Sequence, residues 1–324
     1  MKLGVVIVTY AAQDVIASCL ETLVSSAQSM RIVVVDNASP DQTVAVIENW
    51  RKQGAHLENL PFSTPRPSTV KGRSQVELVQ SPVNGGFAAG VNIGLRRLLE
   101  DREMTRFWIL NPDTLVPAET PIALAQAPDN FALMGCRLLY AQEPHCIQID
   151  AGTVNPWTGV TGNINLGERA CAPLPNVALA DFISGASMVA SRSFLETAGL
   201  MPEEYFLYYE EVDWARRRGA MPLALCKNAV VYHRAGTAIG SPTLGSIASP
   251  FSVYHKHRAR MMYLQTYHPF AIPTGYAYGI AKAFQYFMSG HKGQSKAVLR
   301  ALHGVKWSAD IAPQSGHQTI ERRA

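Results

Sequence analysis

The stretches LGVVIVT at residues 3–9 and RIVVVD at residues 31–36 are continuous apolar runs rich in β-branched residues. Such runs are typical of strands that are buried on both faces of a parallel sheet. A strand, a helix and a parallel strand make a right-handed βαβ unit, which predicts an α/β fold for the start of the chain. The helix between the two runs is indicated by apolar residues at helical spacing, namely Val15, Ile16, Cys19, Leu20, Leu23 and Val24.

The alternation of strands and helices continues up to about residue 113 and predicts a doubly wound, mostly parallel central sheet with helices on both faces. Residues 54–75 interrupt it with prolines and polar residues, which indicate a long surface loop. The further elements are a helix through Val44, Ile47 and Trp50, a strand at 76–80, a helix over about 87–99 and a strand at 106–110.

The second half of the chain predicts shorter strands in a partly antiparallel extension of the sheet, at 131–139, 146–152, 180–191 and 223–233. Beyond Gly236 two amphipathic helices are expected, over 276–288 and 296–307. Their basic and aromatic edges fit contact with a membrane surface or ordinary packing against the domain, and the sequence leaves both open. We therefore divide the chain into a domain over 1–235 and a C-terminal helical segment over 236–324.

The composition narrows the class of protein and its location. Of 324 residues, 47% are hydrophobic and 17% charged, as in a globular protein, and a net charge of +4 is too small to indicate nucleic acid as a partner. Five cysteines without a C-x-x-C pair fit a reducing compartment. The sequence has no run of about 20 apolar residues, so it predicts no helix that spans a membrane. The basic residues between Lys282 and Lys306 have no acidic residue among them, which favours contact with an anionic membrane leaflet. We expect a cytoplasmic protein, peripheral on the inner face of the plasma membrane.

Polar clusters follow three of the predicted strands. They are VTY at 8–10, VVDNASPD at 34–41 and ILNPDT at 109–114. Ligands of open parallel sheets bind at the carboxyl ends of the strands, so these clusters predict one site. Neither a G-x-G-x-x-G after the first strand nor a P-loop is present, which argues against an oxidoreductase with a dinucleotide or a P-loop enzyme.

The stretch YFLYYEEVDWARRRG at 205–219 concentrates three carboxylates at a predicted helix start. Acidic side chains are favourable there because of the helix dipole, but one of them could also be a catalytic base. Successive helical residues turn by about 100°, so Glu211 and Asp213 point to nearly opposite sides and only one can face a site. Asp213 is expected to pair with Arg216 or Arg217.

Six motifs, in order, resemble those of family-2 glycosyltransferases, and most closely the bacterial rhamnosyltransferases of polysaccharide assembly. The resemblance implies a GT-A fold and inverting transfer from a nucleoside diphosphate sugar. It spans about residues 3–235. The motifs are VVIVTY at 5–10, VVVDNASPD at 33–41, NGGFAAGVNIGL at 84–95, WILNPDT at 108–114, YFLYYEEVDWARR at 205–217 and VVYHRAG at 230–236.

The resemblance also implies roles for individual residues. Donor binding falls on Thr9, Tyr10, Asp36, Asn84, Asn92, Asn111 and Arg258, with Arg260 as the alternative to Arg258. The resemblance implies that Asp113 and His233 bind a divalent cation, Mg²⁺ or Mn²⁺. Asn111 stands where the family usually has the first Asp of its D-x-D motif. The sugar and acceptor pocket falls on Ser184, Gly185, Ala186 and Glu210. Glu211 is the implied catalytic base, where most relatives have Asp, and Glu210 is expected to raise its pKa.

The activity implied by the resemblance is transfer of L-rhamnose from dTDP-rhamnose to a lipid-linked saccharide in cell-surface glycan assembly. A UDP- or GDP-sugar on the same fold is the alternative donor. A non-catalytic relative that only binds nucleotide sugars is a second alternative. The donor sugar, the linkage and the oligomeric state are not fixed by the sequence.

Overall fold

The computed structural model describes residues 2–53, 74–234 and 247–307. The first half alternates strand and helix as predicted. Strand β1 is flanked in parallel by β2 and β4, and β3 is parallel to β2. The bounds are β1 Lys2–Thr9, α1 Ile16–Val24, β2 Met30–Asp36, α2 Thr43–Gln53, β3 Gln75–Gln80, α3 Phe87–Leu99 and β4 Met104–Leu110. The predicted loop over 54–75 lies almost wholly outside the described residues.

The second half extends the same sheet with strands of both directions, as predicted. Its elements are β5 Thr114–Leu115, α4 Glu119–Gln126, β6 Leu133–Tyr140, β7 Ile147–Ile149, β8 Gly152–Val154, β9 Thr161–Asn163, β10 Ser187–Ser191, α5 Arg192–Ala198, α6 Glu210–Arg216 and β11 Ala224–His233. The order is β3-β2-β1-β4-β10-β6-β11-β5, with β7 on β6 and β8–β9 as a separate hairpin. Strand β10 is antiparallel to β4 and β6, whereas β11 is parallel to β6.

Both faces of the sheet are buried, which accounts for the apolar runs in the sequence. Val6 and Val8 of β1 pack in the cluster that contains α3, whereas Val5 and Ile7 pack in the cluster that contains α1. Each such side chain contributes about 1.5–3 kcal/mol by leaving water. The alternation of faces along a single strand makes the domain doubly wound.

Helix α3 lies unusually close to the sheet because it presents glycines to it. A Cβ at Gly90 would lie 2.6 Å from a methyl of Val8, and one at Gly94 would lie 2.5 Å from a methyl of Val6. Any larger residue would push the helix outward. The close approach fixes the N-terminus of α3 above the carboxyl end of β1, where a site is predicted.

Three helices follow the sheet: α7 Pro250–Tyr267, α8 Ile272–Met288 and α9 Lys292–Leu302. Helix α7, which no pattern in the sequence predicted, places Ala259 and Tyr263 in the main core. Helices α8 and α9 pack with α7 in smaller clusters. Helix α7 therefore packs against the domain, and α8 and α9 pack against α7. The predicted helix over 296–307 ends earlier, and the division at residue 235 stays a prediction. Among the described residues no helix is long and apolar enough to span a membrane.

Candidate active site

A cleft of about 290 Å³ opens at the carboxyl edge of the sheet. Strand β10 runs opposite to β4, so the residues that precede it also reach this edge. The cleft thus collects residues that are far apart in the sequence. The predicted site residues that line it are Tyr10, Asn84, Asn111, Asp113, Ser184, Gly185, Ala186, Glu210, Glu211 and His233.

Thr9 and Asp36 are buried at the ends of β1 and β2 and do not line this cleft. Thr9 Oγ1 donates to Asp36 Oδ1 at 3.1 Å, and the backbone N–H of Ser39 donates to Asp36 Oδ2 at 3.1 Å. The carboxylate is therefore held in one orientation. This arrangement is compatible with the predicted role of Asp36 at the nucleobase, which stays a prediction.

Asn92 and Arg258 also lie outside the lining of the cleft. Asn92 is buried, its Nδ2 donates to the Met201 carbonyl at 2.8 Å, and its Oδ1 accepts from the Met201 N–H at 3.0 Å. In this position the amide of Asn92 joins α3 to a distant loop, and its predicted role in donor binding stays a prediction. Arg260, the alternative to Arg258, is buried and donates to the Thr158 carbonyl at 2.6 Å. A donor contact by either arginine stays a prediction.

A network of amides shapes the wall of the cleft next to α3. Asn37 Nδ2 donates to Asn84 Oδ1 at 3.0 Å and to the Gly86 carbonyl at 2.9 Å. Gly86 has φ of 92°, and a Cβ there would lie 2.3 Å from the Phe206 carbonyl oxygen, so only glycine fits. Asn37 was not among the predicted site residues, although it lies within the DNASPD motif.

Asp113 and His233 lie side by side in the cleft. His233 Nε2 is 3.1 Å from Asp113 Oδ1, and His233 Nδ1 is 2.8 Å from Gln148 Oε1. An amide oxygen only accepts, so the proton of a neutral imidazole resides on Nδ1 and the lone pair of Nε2 faces the carboxylate. His233 Nε2 also lies 3.4 Å from Asn111 Nδ2, and a cation between Nε2 and Asp113 Oδ1 would contact both of these atoms.

The geometry of this pair fits a divalent cation. Two ligands at about 2.1 Å and at right angles lie about 3.0 Å apart, close to the observed separation. No group of three or more His, Cys, Asp or Glu that could hold a metal ion occurs within the described part of the chain. A cation on Asp113 and His233 would therefore take its other ligands from water and phosphate, as Mg²⁺ commonly does.

No pattern in the sequence selects Gln148, and its role at His233 is testable. We expect Gln148→Leu to weaken Mn²⁺ binding by about 10- to 100-fold, because the partner that orients the imidazole is lost. Isothermal titration of Mn²⁺ measures this directly. The control is Gln142→Leu, which removes an exposed amide in the loop before β7 that donates to the Arg234 carbonyl. Equal Mn²⁺ affinity in Gln148→Leu and the wild type would contradict the role.

The two carboxylates of α6 are positioned by an unusual backbone. Tyr208 and Tyr209 have φ of 69° and 70°, which costs about 1–3 kcal/mol for each residue. Their hydroxyls hold this conformation in place. Tyr209 donates to the Gly159 carbonyl at 2.6 Å, and Tyr208 shares a short hydrogen bond with Ser252 of α7. Strain of this kind is found at functional sites, and here it directs Glu210 and Glu211 into the cleft.

Glu210 and Glu211 do not share a single environment. Burial raises the pKa of Glu210 well above its ordinary value, and the charge of Glu211 adds to this. Glu210 Oε2 has no hydrogen-bond partner among the described residues. Burial also raises the pKa of Glu211, and Lys256 opposes that shift. Burial, rather than the predicted repulsion by Glu210, is therefore the main cause at Glu211.

The raised pKa of Glu210 predicts a pH-dependent stability. The folded state favours its protonated form, so this contribution is complete below the unfolded value of 4.5 and is lost as the pH rises through the folded pKa. We expect Glu210→Gln to raise Tm relative to the wild type more at pH 8 than at pH 5, by about 2 °C for each kcal/mol. Exposed Glu204→Gln is the control. A difference in Tm that is equal at both pH values would contradict the assignment.

Asp213 has the structural role that the sequence indicated. Its Oδ1 accepts from Arg217 Nε at 2.6 Å, which decides between the two predicted arginines. Tyr267 and Tyr205 donate to its two oxygens at 2.9 Å and 3.0 Å. These bonds tie α6 to α7 and leave no free carboxylate oxygen for catalysis.

Comparison with known proteins shows that this fold is the GT-A fold of glycosyltransferases. A mannosyltransferase from Pyrobaculum calidifontis, solved with GDP-Man and Mn²⁺, matches with a TM-score of 0.53 and 15% identity, over 94% of this chain and 87% of that one. S. aureus TarS 1-349, solved with UDP-GlcNAc, matches with a TM-score of 0.53 and 15% identity, over 93% and 82%. At such identities the likeness establishes the fold alone.

Sequence comparison gives a narrower match. Residues 4–129, less than half of the chain, match the model of the family Glycosyl transferase family 2. The low-salt glycan biosynthesis hexosyltransferase Agl10 of Haloferax volcanii is 22% identical over 217 residues. That alignment covers 66% of this chain and 61% of Agl10, so the chain aligns with less than two thirds of the relative's length.

Proposed function

We propose that the protein is an inverting family-2 glycosyltransferase that uses a nucleoside diphosphate sugar and a divalent cation. The observation that supports this most directly is that Glu211, Asp113 and His233 line one cleft. The cleft lies at the carboxyl edge of the sheet of a GT-A fold. The family match over residues 4–129 supports it independently. A base and a diphosphate site in one cleft are the two requirements of the reaction.

In the proposed reaction Glu211 accepts the proton of an acceptor hydroxyl. The hydroxyl oxygen forms a bond to the anomeric carbon while the bond from that carbon to the diphosphate oxygen breaks, and the electron pair leaves with the nucleoside diphosphate. Attack from the face opposite the leaving group inverts the anomeric configuration. A cation held by Asp113 and His233 would neutralise the negative charge of the departing diphosphate.

The nucleoside end of the donor is assigned to the part of the cleft around Tyr10 and Asn84. Tyr10 can stack on a base, and the amide network of Asn37 and Asn84 gives the wall a fixed set of polar groups. Asp36, held by Thr9 beneath this wall, can accept the imino hydrogen of uracil or thymine.

For the donor we propose dTDP-rhamnose as the first candidate. Its support is the resemblance of six motifs to bacterial rhamnosyltransferases. UDP- and GDP-sugars are the alternatives, since similar structures were solved with GDP-Man and with UDP-GlcNAc. The hexosyltransferase Agl10 is named for glycan biosynthesis, which supports a glycan acceptor in cell-surface assembly.

Release of nucleoside diphosphate from a panel of dTDP-, UDP- and GDP-sugars tests the proposal. The panel is run with a pool of lipid-linked saccharides, with Mn²⁺, Mg²⁺ or chelator. We expect release from one nucleotide class, dependent on both the cation and the acceptor pool. Tight donor binding with no release under any condition would favour a non-catalytic nucleotide-sugar-binding protein instead.

We also propose that the C-terminal helices contact an anionic leaflet at the inner face of the plasma membrane, where a lipid-linked acceptor would be met. One face of α8 exposes large apolar side chains, with Phe284, Phe287 and Met288 between 55% and 68% exposed. Residues 250–307 contain no Asp or Glu, so the surrounding charge is positive. Apolar insertion and attraction to anionic lipid act together in peripheral proteins.

Sedimentation with lipid vesicles tests this membrane contact. We expect the wild type to bind vesicles that contain about 30% phosphatidylserine, because anionic lipid attracts the basic helices. Binding should be lost with vesicles of phosphatidylcholine alone or in high salt. Phe284→Glu should weaken binding by roughly 10-fold or more, because a charge replaces an inserted ring. Val83→Glu, an exposed apolar residue of another surface, is the control. Equal binding of Phe284→Glu and the wild type would contradict the proposal.

A further inference from the structure

A second, smaller cavity of about 160 Å³ adjoins the cleft. The two cavities share Ser184, Tyr208, Glu211 and His233, so they meet along a common wall. No predicted site residue belongs to the second cavity alone. It is formed by the β8–β9 hairpin, the segment around β7, the start of α6 and the adjoining face of α7.

Polar side chains from different elements face this second cavity. Gln148 comes from β7, Thr161 and Asn163 come from β9, and Lys256 comes from α7. Such a set of amides and a hydroxyl is typical of sites that bind sugar hydroxyls, because each group can donate and accept. The Asn163 side chain donates to the Gln148 carbonyl at 3.3 Å, which joins the hairpin to β7.

Glu211 lies on the boundary between the two cavities. A base must contact the attacking hydroxyl, and that hydroxyl approaches the anomeric carbon from the side opposite the leaving diphosphate. If the diphosphate lies at Asp113 in the main cleft, the acceptor reaches Glu211 from the other cavity. Asp113 lines the main cleft and not the second cavity, whereas Glu211 and His233 line both, so a base at this boundary can serve an acceptor that lies in the second cavity.

Of the described residues that line the second cavity, Lys256 is the one lysine or arginine. Its side chain reaches solvent, although desolvation lowers its pKa and the charge of Glu211 opposes that shift. Among the described residues it forms no ion pair, and its interaction with Glu211 is longer in range. The nearby charged groups on the C-terminal helices are Arg258 and Arg260 of α7 and Lys282 of α8, and no carboxylate occurs in these helices. A ligand in this cavity therefore meets positive charge on the α7 side and one carboxylate, Glu211, at the boundary.

We propose that the second cavity is the acceptor subsite and that Lys256 binds an anionic group of the acceptor, either a sugar carboxylate or a phosphate. The identification of the ligand as the acceptor rests on the proposed function. The anion site at Lys256 does not require that transfer occurs. A lysine ammonium suits both groups, because it is a compact charge with three donors. The sugar hydroxyls would lie against the amides and the hydroxyl of β7 and β9.

Binding of small probes to the full chain tests this. The probes are methyl β-glucuronide, glucose 1-phosphate and neutral methyl β-glucoside, titrated after the main cleft has been saturated with the nucleoside diphosphate that binds best. We expect at least one anionic probe to bind about 10- to 100-fold more tightly than the glucoside, as one charged hydrogen bond allows. Preference for the glucuronide indicates a carboxylate, and preference for the phosphate indicates a phosphate. Equal affinity for all three probes would overturn the proposal.

Variants locate the effect at Lys256. Lys256→Met should remove the preference for the anionic probe, while Lys256→Arg should restore it to within about 3-fold, since charge is retained. Lys282→Met removes a charge of α8 that lies outside the cavity lining and serves as the matched control. An unchanged preference in Lys256→Met, with its Tm equal to the wild type, would also overturn the proposal. Should Lys256→Met lower Tm, Lys256→Gln gives the same comparison.

The probe experiment also separates this inference from the proposed function. Failure of nucleotide release in the donor panel with intact, Lys256-dependent anion binding would reject the transferase and keep the anion site. Release of nucleotide with no anion preference would keep the transferase and reject the role of Lys256.

Discussion

Glu211→Gln is expected to lower kcat by about 10²- to 10⁴-fold, because general base catalysis contributes this much in enzymes. Donor affinity should change little, since the substitution keeps the size and the polar character of the side chain. Nucleotide release under saturating donor measures kcat, and titration with the intact donor measures affinity. Loss of turnover with retained binding is the result that the position of Glu211 in the cleft predicts.

The pH profile of the wild type gives a second readout of the same group. Burial raises the pKa of Glu211, and a base acts only when deprotonated, so the rate should fall as the pH drops through that raised pKa, above the ordinary 4.5. Glu204→Gln removes an exposed carboxylate of the preceding loop and is the control. A kcat of Glu211→Gln within 2-fold (about 0.4 kcal/mol) of the wild type would reject the assignment.

Asp113→Asn is expected to lower the rate by roughly 10²-fold or more, because cation stabilisation of a leaving phosphate amounts to several kcal/mol. The amide removes the one negative charge that the pair of Asp113 and His233 offers to a cation. The same loss should follow treatment of the wild type with chelator, and Mn²⁺ should restore the wild type but not the variant. Initial rates against Mn²⁺ concentration measure both effects.

A readout that does not depend on activity is binding of Mn²⁺ followed by electron paramagnetic resonance. Asp113→Asn should lose the bound signal, whereas Asp129→Asn, which alters a carboxylate paired with Arg106 far from the cleft lining, should keep it. Full activity of the wild type in chelator would contradict the proposed cation.

Most of the fold follows from local pattern. The apolar runs of β1 and β2 predict strands that are buried on both faces of the sheet. The helix between them, α1, is indicated by apolar residues at helical spacing. Helix α7 was missed because its contacts lie on several sides, so no single apolar stripe forms. Arg260, buried against Tyr278 at 5.0 Å, illustrates this, since a basic residue there reads as surface in the sequence.

The site was predictable where it follows the ends of strands and not where it depends on distant neighbours. Asp113 lies between β4 and β5, His233 ends β11 and Glu211 lies in the first turn of α6. Each belongs to a recognisable motif, and the sheet topology brings the three together. Gln148 and Lys256 lie in segments without a motif. Their positions become meaningful only when β7 and α7 are placed beside β11 and α6, which requires the tertiary structure.

The bond between Tyr208 and Ser252 has a consequence for how the protein can be dissected. Ser252 belongs to α7, so the conformation that directs the acidic pair is maintained by a helix that lies after the sheet in the sequence. A shortened protein that stops at residue 235 would retain every strand that the structure describes and both proposed cation ligands. It would nevertheless lose one of the two tyrosine hydrogen bonds that hold the left-handed turn before the base. Chimaeras that exchange the C-terminal helices between relatives must therefore carry the serine along with them.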